Sequence, residues 1–270
     1  MFPEDIGDGS TSRVPLRQLK KLSLIGLSEE VIPLLDWLEY PDRMNSVHLD
    51  VLWCLGEAIS EFFEPYLRGR IRRDDRFQSR LGIRLSGTSD SISFRVGTLG
   101  QLDALPMLPG HGYPSVSFAV KFRDRLPQGA IEKLCTNLLT ATPQEHVVEF
   151  TWGSNWGVMK EIDLPVTMLN IEKLYILGTV ISDTFLQPYQ LSNTKLLPSL
   201  QHLHLSYPTL RNDDDWRPLI AYLTHQTSGG QPISLVLRKK RPPVPPEVVM
   251  EIEGLVDEFD LCYFGDEGAA

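Results

Sequence analysis

Leu19-Lys20-Lys21-Leu22-Ser23-Leu24 follows the pattern L-x-x-L-x-L, and Leu200-Gln201-His202-Leu203-His204-Leu205 repeats it near the other end of the chain. Each copy precedes an amphipathic stretch with the same order of residue types, residues 28–38 and 213–223, and these two align without a gap. Such self-similarity is typical of solenoids, in which each unit buries its apolar face against the next. The sequence therefore predicts a repeat protein.

Further strands are predicted where apolar and polar residues alternate. We expect parallel strands centred on Leu22, Val47, Val148, Leu174, Leu203 and Leu235. The last four are about 26–32 residues apart, which is close to the length of a leucine-rich unit. Strands linked through helices run parallel with right-handed crossovers. The predicted fold class is α/β, an irregular leucine-rich-repeat solenoid with a curved parallel sheet and helices on its convex side.

The predicted organisation is one domain with flexible ends. Residues 1–15 form a flexible N-terminal lead, residues 16–262 a single leucine-rich-repeat-like solenoid domain, and residues 263–270 a flexible tail. Two alternating stretches around Gly87 and Asp90 predict a β-hairpin insertion near 81–97. An apolar stripe after Pro245-Pro246 predicts a terminal capping helix over 246–260.

Composition bounds the function class. The net charge of −9 disfavours nonspecific attraction to nucleic acid or anionic lipid. The N-terminus lacks the basic-then-apolar order of a signal peptide, and no stretch has the ~20 apolar residues of a membrane span. Cys54, Cys135 and Cys262 are odd in number and far apart, which fits a reducing compartment. We expect a cytoplasmic or nuclear protein that is not secreted.

Strand alternation also predicts the binding surface. With the leucines turned to the core, their neighbours face the concave side of the sheet. A mixed polar strip of this kind suits protein recognition. We expect Tyr175 and His204 to be its central pair, within cross-strand reach. The predicted protein-binding residues are Lys21, Ser23, His48, Asp50, Lys173, Tyr175, His202 and His204.

Polar clusters elsewhere have structural interpretations that we favour over chemical ones. His202 and His204 have the spacing of two metal ligands on a strand, but no third ligand is placed, so no metal and no cofactor is predicted. Asp213-Asp214-Asp215 aligns with Ser28-Glu29-Glu30 and indicates the acidic start of a helix rather than a cation site. No catalytic motif occurs in the sequence, and we predict a protein that is not an enzyme.

Basic and aromatic clusters leave alternatives open. Residues 68–73 carry four arginines, and we favour a solvated loop after a helix over nucleic-acid binding. Residues 238–246 could be a nuclear import signal or a polyproline ligand, although a strand end with a stiff link into the capping helix is favoured. Trp152 and Trp156 could form an exposed aromatic anchor or pack within a loop.

The chain resembles the leucine-rich-repeat C-terminal regions of F-box proteins from mushroom-forming fungi. The resemblance rests on residues 14–24 and 31–38, is strongest over residues 197–227, and continues in Pro245-Pro246-Glu247-Val248-Val249. It implies the substrate-recognition part of a ubiquitin-ligase receptor, with a protein ligand. The alternative is a stand-alone interaction scaffold unrelated to ubiquitination.

Two departures from that family affect what the resemblance implies. The ~15 residues before the first repeat are too few for an F-box of ~50 residues, so an adaptor is a partner only if an F-box lies outside this chain. The Asn or Cys that usually follows L-x-x-L-x-L is also missing. Gly26, Gly178 and Tyr207 stand near those places, and we expect irregular repeat units.

Overall fold

The computed structural model describes twelve ranges of the chain. They are residues 14–39, 41, 44, 46–53, 59–88, 90–99, 115–122, 128–154, 168–178, 197–206, 213–240 and 243–264.

Strands and helices make up most of the described part. The strands are β1 Val14–Pro15, β2 Lys21–Leu27, β3 Leu38–Glu39, β4 Ser46–Trp53, β5 Leu81–Thr88, β6 Ser91–Thr98, β7 Ser115–Phe122, β8 Val147–Ser154, β9 Lys173–Leu177, β10 His202–Ser206, β11 Ser234–Lys240 and β12 Glu258–Phe264. The α-helices are α1 Ser28–Trp37, α2 Ile59–Arg73, α3 Gln128–Thr140, α4 Asp213–Thr227 and α5 Pro246–Glu253. Short 3-10 turns span Asp75–Gln78 and Gln144–His146.

Ten of these strands form one open sheet. Their order is β12-β11-β10-β9-β8-β5-β6-β7-β4-β2. β6 is antiparallel to both of its neighbours, and the other nine strands run in one direction. The six strands predicted to be parallel in one sheet are β2, β4 and β8 to β11, so this prediction is confirmed. The α/β class, with a large and mostly parallel sheet, is confirmed as well.

The predicted hairpin exists, but it lies inside the sheet. β5 pairs with β8 on one side, β7 pairs with β4 on the other, and β6 lies between β5 and β7. Counted from β2 and β4 towards β8, these three strands therefore occur in the reverse of their chain order, as β7, β6 and then β5. Ile83, Leu85, Phe94 and Val96 are fully buried and continue the core rows of the neighbouring strands. Those apolar residues are the reason the hairpin packs as part of the sheet.

The core lies on one side of the sheet, where register aligns apolar residues across all ten strands. The apolar stripes of the five described helices, with Val31, Leu67, Leu138, Trp216 and Ile252 among them, belong to the same buried cluster. The first core row is Leu22, Val47, Val116, Val96, Ile83, Phe150, Leu174, Leu203, Leu235 and Phe259. The second is Leu24, Leu49, Phe118, Phe94, Leu85, Trp152, Ile176, Leu205, Leu237 and Leu261.

The predicted capping helix over 246–260 is too long. Helix α5 ends at Glu253, and residues 258–264 form β12, parallel to β11. Phe259 and Leu261 align with Leu235 and Leu237, so this strand extends both core rows. Residues 263 and 264 accordingly belong to the sheet rather than to a tail, and residues 265–270 lie outside the described part.

The predicted N-terminal lead also needs a correction. Val14–Pro15 pairs in parallel with Leu38–Glu39 as a two-stranded sheet, and the Leu16 amide donates to the Glu39 carbonyl at 2.7 Å. Residues 14 and 15 are therefore tied to the end of α1. The rest of the predicted lead, residues 1–13, lies outside the described part.

The basic run at 68–73 is helical, which contradicts the predicted solvated loop. α2 continues to Arg73, and the Arg70 side chain is only 4% exposed. Arg70 donates to the carbonyl oxygens of Pro41 at 3.2 Å and Met44 at 3.1 Å. Its Nη2 also lies 3.7 Å from a carboxylate oxygen of Asp74. These contacts hold the segment before β4 against α2.

Asp74 is the centre of this buried network. It is fully buried and accepts hydrogen bonds from the backbone amide of Arg76 at 3.2 Å, from its Nε at 2.8 Å and from its Nη2 at 2.7 Å. Burial alone would raise the pKa of Asp74, but the bonds from Arg76 and the charges of Arg76 and Arg70 lower the pKa below its ordinary value. The carboxylate is therefore ionised at neutral pH.

Candidate functional site

The face of the sheet opposite the core carries polar side chains in three cross-strand rows. We call it the open face. Its middle row is Ser23, His48, Ser117, Arg95, Arg84, Thr151, Tyr175, His204, Val236 and Asp260. A second row lies nearer the N-terminal ends of the parallel strands and includes Lys21, Gly97, Gly82, Glu149, Lys173 and His202. A third row lies nearer their C-terminal ends and includes Ile25, Asp50, Ser93, Ser86 and Leu177.

All eight residues predicted for protein binding lie in these rows, but they form two patches. Lys21, Ser23, His48 and Asp50 lie on β2 and β4, while Lys173, Tyr175, His202 and His204 lie on β9 and β10. The four strands β7, β6, β5 and β8 separate the patches. At ~4.8 Å per strand, β4 and β9 are about 24 Å apart. The predicted residues share a face without forming one continuous site.

The patch on β9 and β10 centres on two rings. Tyr175 and His204 are register partners, and their ring centroids are 5.4 Å apart with a tilt of 35°. His204 Nε2 lies 2.8 Å from the Ser206 hydroxyl. Burial and the charge of Arg238 lower the pKa of His204, and Asp260 opposes them only in part. His204 is therefore an uncharged ring at neutral pH, packed beside a tyrosine as the sequence predicts for this pair.

The patch on β2 and β4 is more polar and lies at the edge of the sheet. His48 Nδ1 lies 2.8 Å from the Ser117 hydroxyl, which holds the half-buried imidazole against β7. Asp50 is half-buried between Ile25 and Ala119 in register. Lys21 and Ser23 are exposed on the edge strand. The patch offers hydrogen-bonding groups of both kinds to a binding partner.

The sequence prediction missed two arginines between the patches. Arg84 on β5 and Arg95 on β6 are direct register partners in the middle row, and both are half-buried. Burial and the nearby charge of Arg84 lower the pKa of Arg95 from its ordinary value, although the group stays protonated at neutral pH. The alternation of Ile83 with Leu85 is the signal that places Arg84 on the open face. Interpreting the hairpin as an insertion conceals that signal.

The described residues offer little geometry that could hold a metal ion or enclose a ligand. No group of three His, Cys, Asp or Glu residues there is arranged to hold a metal ion. A polar cleft of about 290 Å³ opens where β5, β8 and β9 begin. Arg80 forms an ion pair with Glu172 in it, and Asn170 donates to the Glu145 carbonyl at 2.7 Å. The cleft is lined by Arg80, Glu145, His146, Val148, Asn170, Glu172 and Ser199.

The remaining sequence motifs have structural places. α4 begins at Asp213, in agreement with the predicted acidic helix start. Residues 238–240 end β11, as the favoured interpretation predicts, and Lys239 lies with its Nζ 5.6 Å from the centroid of the Trp216 ring. Trp152 is buried on the core side with its ring edge-on to Phe150, so it is not an exposed anchor. Trp156 lies outside the described part.

Comparison of the chain with protein-family models, with curated proteins and with solved structures finds no match. None of the helices in the described ranges combines the length and the apolar character that crossing a membrane requires.

Proposed function

We propose that the chain is an irregular leucine-rich-repeat solenoid that binds another protein through its open face. The repeat proposal is supported by the flank from β8 to β12, where parallel strands follow one another in chain order. In such an array the sheet is curved and the helices lie on its convex side. The observation that carries the function is the open face itself, on which the Tyr175–His204 ring pair lies in a row of polar side chains.

The chemistry of this face favours recognition over catalysis. Aromatic side chains supply contact area at a low cost in conformational entropy, and a few such residues carry most of the binding energy of an interface. The uncharged His204 ring beside Tyr175 can pack against a partner and still donate or accept a hydrogen bond. We propose binding without catalysis, in the cytoplasm or nucleus and without a cofactor.

The link to ubiquitin is supported by the resemblance alone. By that resemblance the bound protein is the substrate of a ubiquitin-ligase receptor, and the ligase adaptor is a partner only where an F-box accompanies this chain. An F-box-coding exon upstream of Met1 in genomic DNA would support this proposal. A stand-alone scaffold is the alternative, and it predicts that partner capture occurs without any ligase component.

The test begins with proximity labelling in the native cell, followed by purification of the labelled partner. Changing Tyr175→Ala and His204→Ala together is expected to weaken binding of that partner at least about tenfold. The free energy of unfolding should fall by only about 1–3 kcal/mol, because both side chains are half-buried and what is lost is their mutual packing and part of their buried area. Lys133→Ala with Thr136→Ala, both exposed on α3, is the matched control and should bind like the wild type.

One outcome would contradict the proposed surface directly. If the Tyr175 and His204 double variant binds normally while Arg80→Ala abolishes binding, the partner occupies the polar cleft at the strand beginnings. The open face would then not be the binding surface.

A further inference from the structure

Arg84 and Arg95, the two arginines of the β5–β6 hairpin, lie on a part of the open face where the neighbouring side chains are small. Arg84 and Arg95 are opposite each other on β5 and β6. On these two strands the adjacent rows carry only glycine and serine, namely Gly82 and Gly97 on one side and Ser86 and Ser93 on the other. Long guanidinium side chains are therefore the largest groups on this part of the sheet. They occupy the space between the two predicted patches.

Like charges placed directly opposite each other destabilise a sheet, so this pair calls for a compensating role. Glu149 on β8 lies diagonal to Arg84, since its register partner is Gly82, and it is only 5% exposed. For Arg95, no carboxylate among the described residues forms an ion pair with it, and besides burial it is the charge of Arg84 that lowers its pKa. The cost of holding Arg95 half-buried beside a like charge would be offset by an anion that binds there.

We propose that Arg84 and Arg95 receive the carboxylates of an acidic segment of the protein partner. The inference rests on the proposed function, because it assigns the chemistry of the partner that the open face binds. A guanidinium presents a planar fork of N–H donors that matches a carboxylate in a bidentate manner. Partial burial strengthens each charge-assisted bond, since water screens it less.

The extent of the charge favours an acidic peptide over nucleic acid. The pair is two strands wide and is bounded in its row by uncharged Ser117 and Thr151. A nucleic-acid strand needs a basic track along many phosphates, commonly with aromatic rings for base stacking. In this row the ring of Tyr175 already packs against His204.

The experiment uses the full chain and a fluorescent octaglutamate peptide, with octaglutamine and a single-stranded DNA octamer as comparison probes. Fluorescence anisotropy is expected to show binding of octaglutamate that weakens with added salt, and no binding of octaglutamine. Arg95→Gln should weaken octaglutamate binding about ten- to hundredfold, which is the range for loss of a charge-assisted bond. Lys133→Gln makes the same charge change on exposed α3 and should alter binding less than about twofold.

A second variant keeps the test decisive if Arg95→Gln does not fold. Arg95→Lys retains the charge but loses the fork, so it should bind octaglutamate more weakly than the wild type and more tightly than Arg95→Gln. Failure of octaglutamate to bind the wild type would overturn the inference. Equal binding to wild type and Arg95 variants would overturn it too. Tighter, Arg95-dependent binding of the DNA octamer would show that the pair reads phosphate instead.

Binding of the purified partner to the two variants distinguishes this inference from the proposed function. If binding of the partner is lost in the Tyr175 and His204 double variant but unchanged in Arg95→Gln, the open face binds protein and the acidic-segment inference is wrong. If both changes weaken binding, both are supported. If neither does, both are wrong.

Discussion

Replacing Asp74 with Asn should destabilise the protein far more than an ordinary surface charge change. The carboxylate is fully buried and accepts three hydrogen bonds from Arg76, while the Arg70 guanidinium, 4% exposed, lies 3.7 Å away. Removing one member of a buried pair typically costs about 3–5 kcal/mol. Arg76 is 31% exposed and can turn towards water, which places the expected loss near the lower end, about 3 kcal/mol.

A matched control lies earlier in the chain, within α2. Glu64 and Arg68 form a pair at the i,i+4 spacing that also separates Arg70 from Asp74, with N and O 2.8 Å apart, but their side chains are 31% and 38% exposed. Glu64→Gln should therefore cost less than about 0.5 kcal/mol, because solvent screens the pair. Urea unfolding at neutral pH, with the midpoint and the slope compared for both variants, gives the two free energies.

The pH dependence supplies an independent check on the Asp74 reasoning. The folded state lowers the pKa of Asp74 below its ordinary value of 3.8, so its stabilising contribution is complete above that pH. The contribution is lost as the pH falls from 3.8 through the folded-state pKa. The difference in the free energy of unfolding between the wild type and Asp74→Asn should accordingly be constant near neutrality and become smaller below about pH 4. A neutral-pH loss no larger than that of Glu64→Gln, or a gap that persists unchanged in acid, would refute the reasoning.

Other changes test the core and the backbone. Leu203 is 1% exposed within the first core row, with a core neighbour on either side, so Leu203→Ala should cost about 2–5 kcal/mol by urea unfolding; a loss under about 1 kcal/mol would mean that the row is loosely packed. Gly69 lies within α2, where an added methyl group would meet no other atom within 4 Å, so Gly69→Ala should raise the free energy of unfolding by about 0.5–1 kcal/mol. Gly230 also has open space around it but adopts a φ of 72°, so Gly230→Ala should lower that free energy by about 1–2 kcal/mol, and opposite signs for the two glycines are the expected result of calorimetry.

Local alternation is enough to predict most strands, because one face of each strand is buried and the other is not. In β10, for example, Leu203 and Leu205 are both 1% exposed, while the alternate residue His202 is exposed. The same signal is present in residues 258–263, but a helical stripe that continues through Leu255 and Phe259 competes with it. A helix and a strand are both possible for such a segment, and pairing with β11 decides in favour of the strand.

The parts that sequence could not predict depend on distant partners. The local sequence does not indicate that β5 pairs with β8 and β7 with β4, because each pairing depends on which of all the available strand edges gives the best fit. Arg70 can be buried in a helix because the carbonyls of Pro41 and Met44, far back in the sequence, accept hydrogen bonds from its two terminal nitrogens. The candidate site shows the same limit: its eight residues lie on the face opposite the core, as alternation predicts, but their division into two patches follows from the strand order.

The reversed strand β6 has a consequence for how the chain assembles. From β8 to β12 each new strand can add to the one just made, across register offsets such as the 29 residues between Lys173 and His202. β4 can pair early with β2, since Lys21 lies opposite Ser46, but it joins the rest of the sheet only through β7, whose Ser115 lies opposite Ser46 after 69 residues. Closing the longer loop costs about 0.8 kcal/mol more in chain entropy, before the reversed meander is ordered. We therefore expect the C-terminal flank to nucleate folding and the β2–β4 pair to join the sheet last, and a strand could be added to or lost from that flank without changing the pairing of β4 with β7 or of β5 with β8.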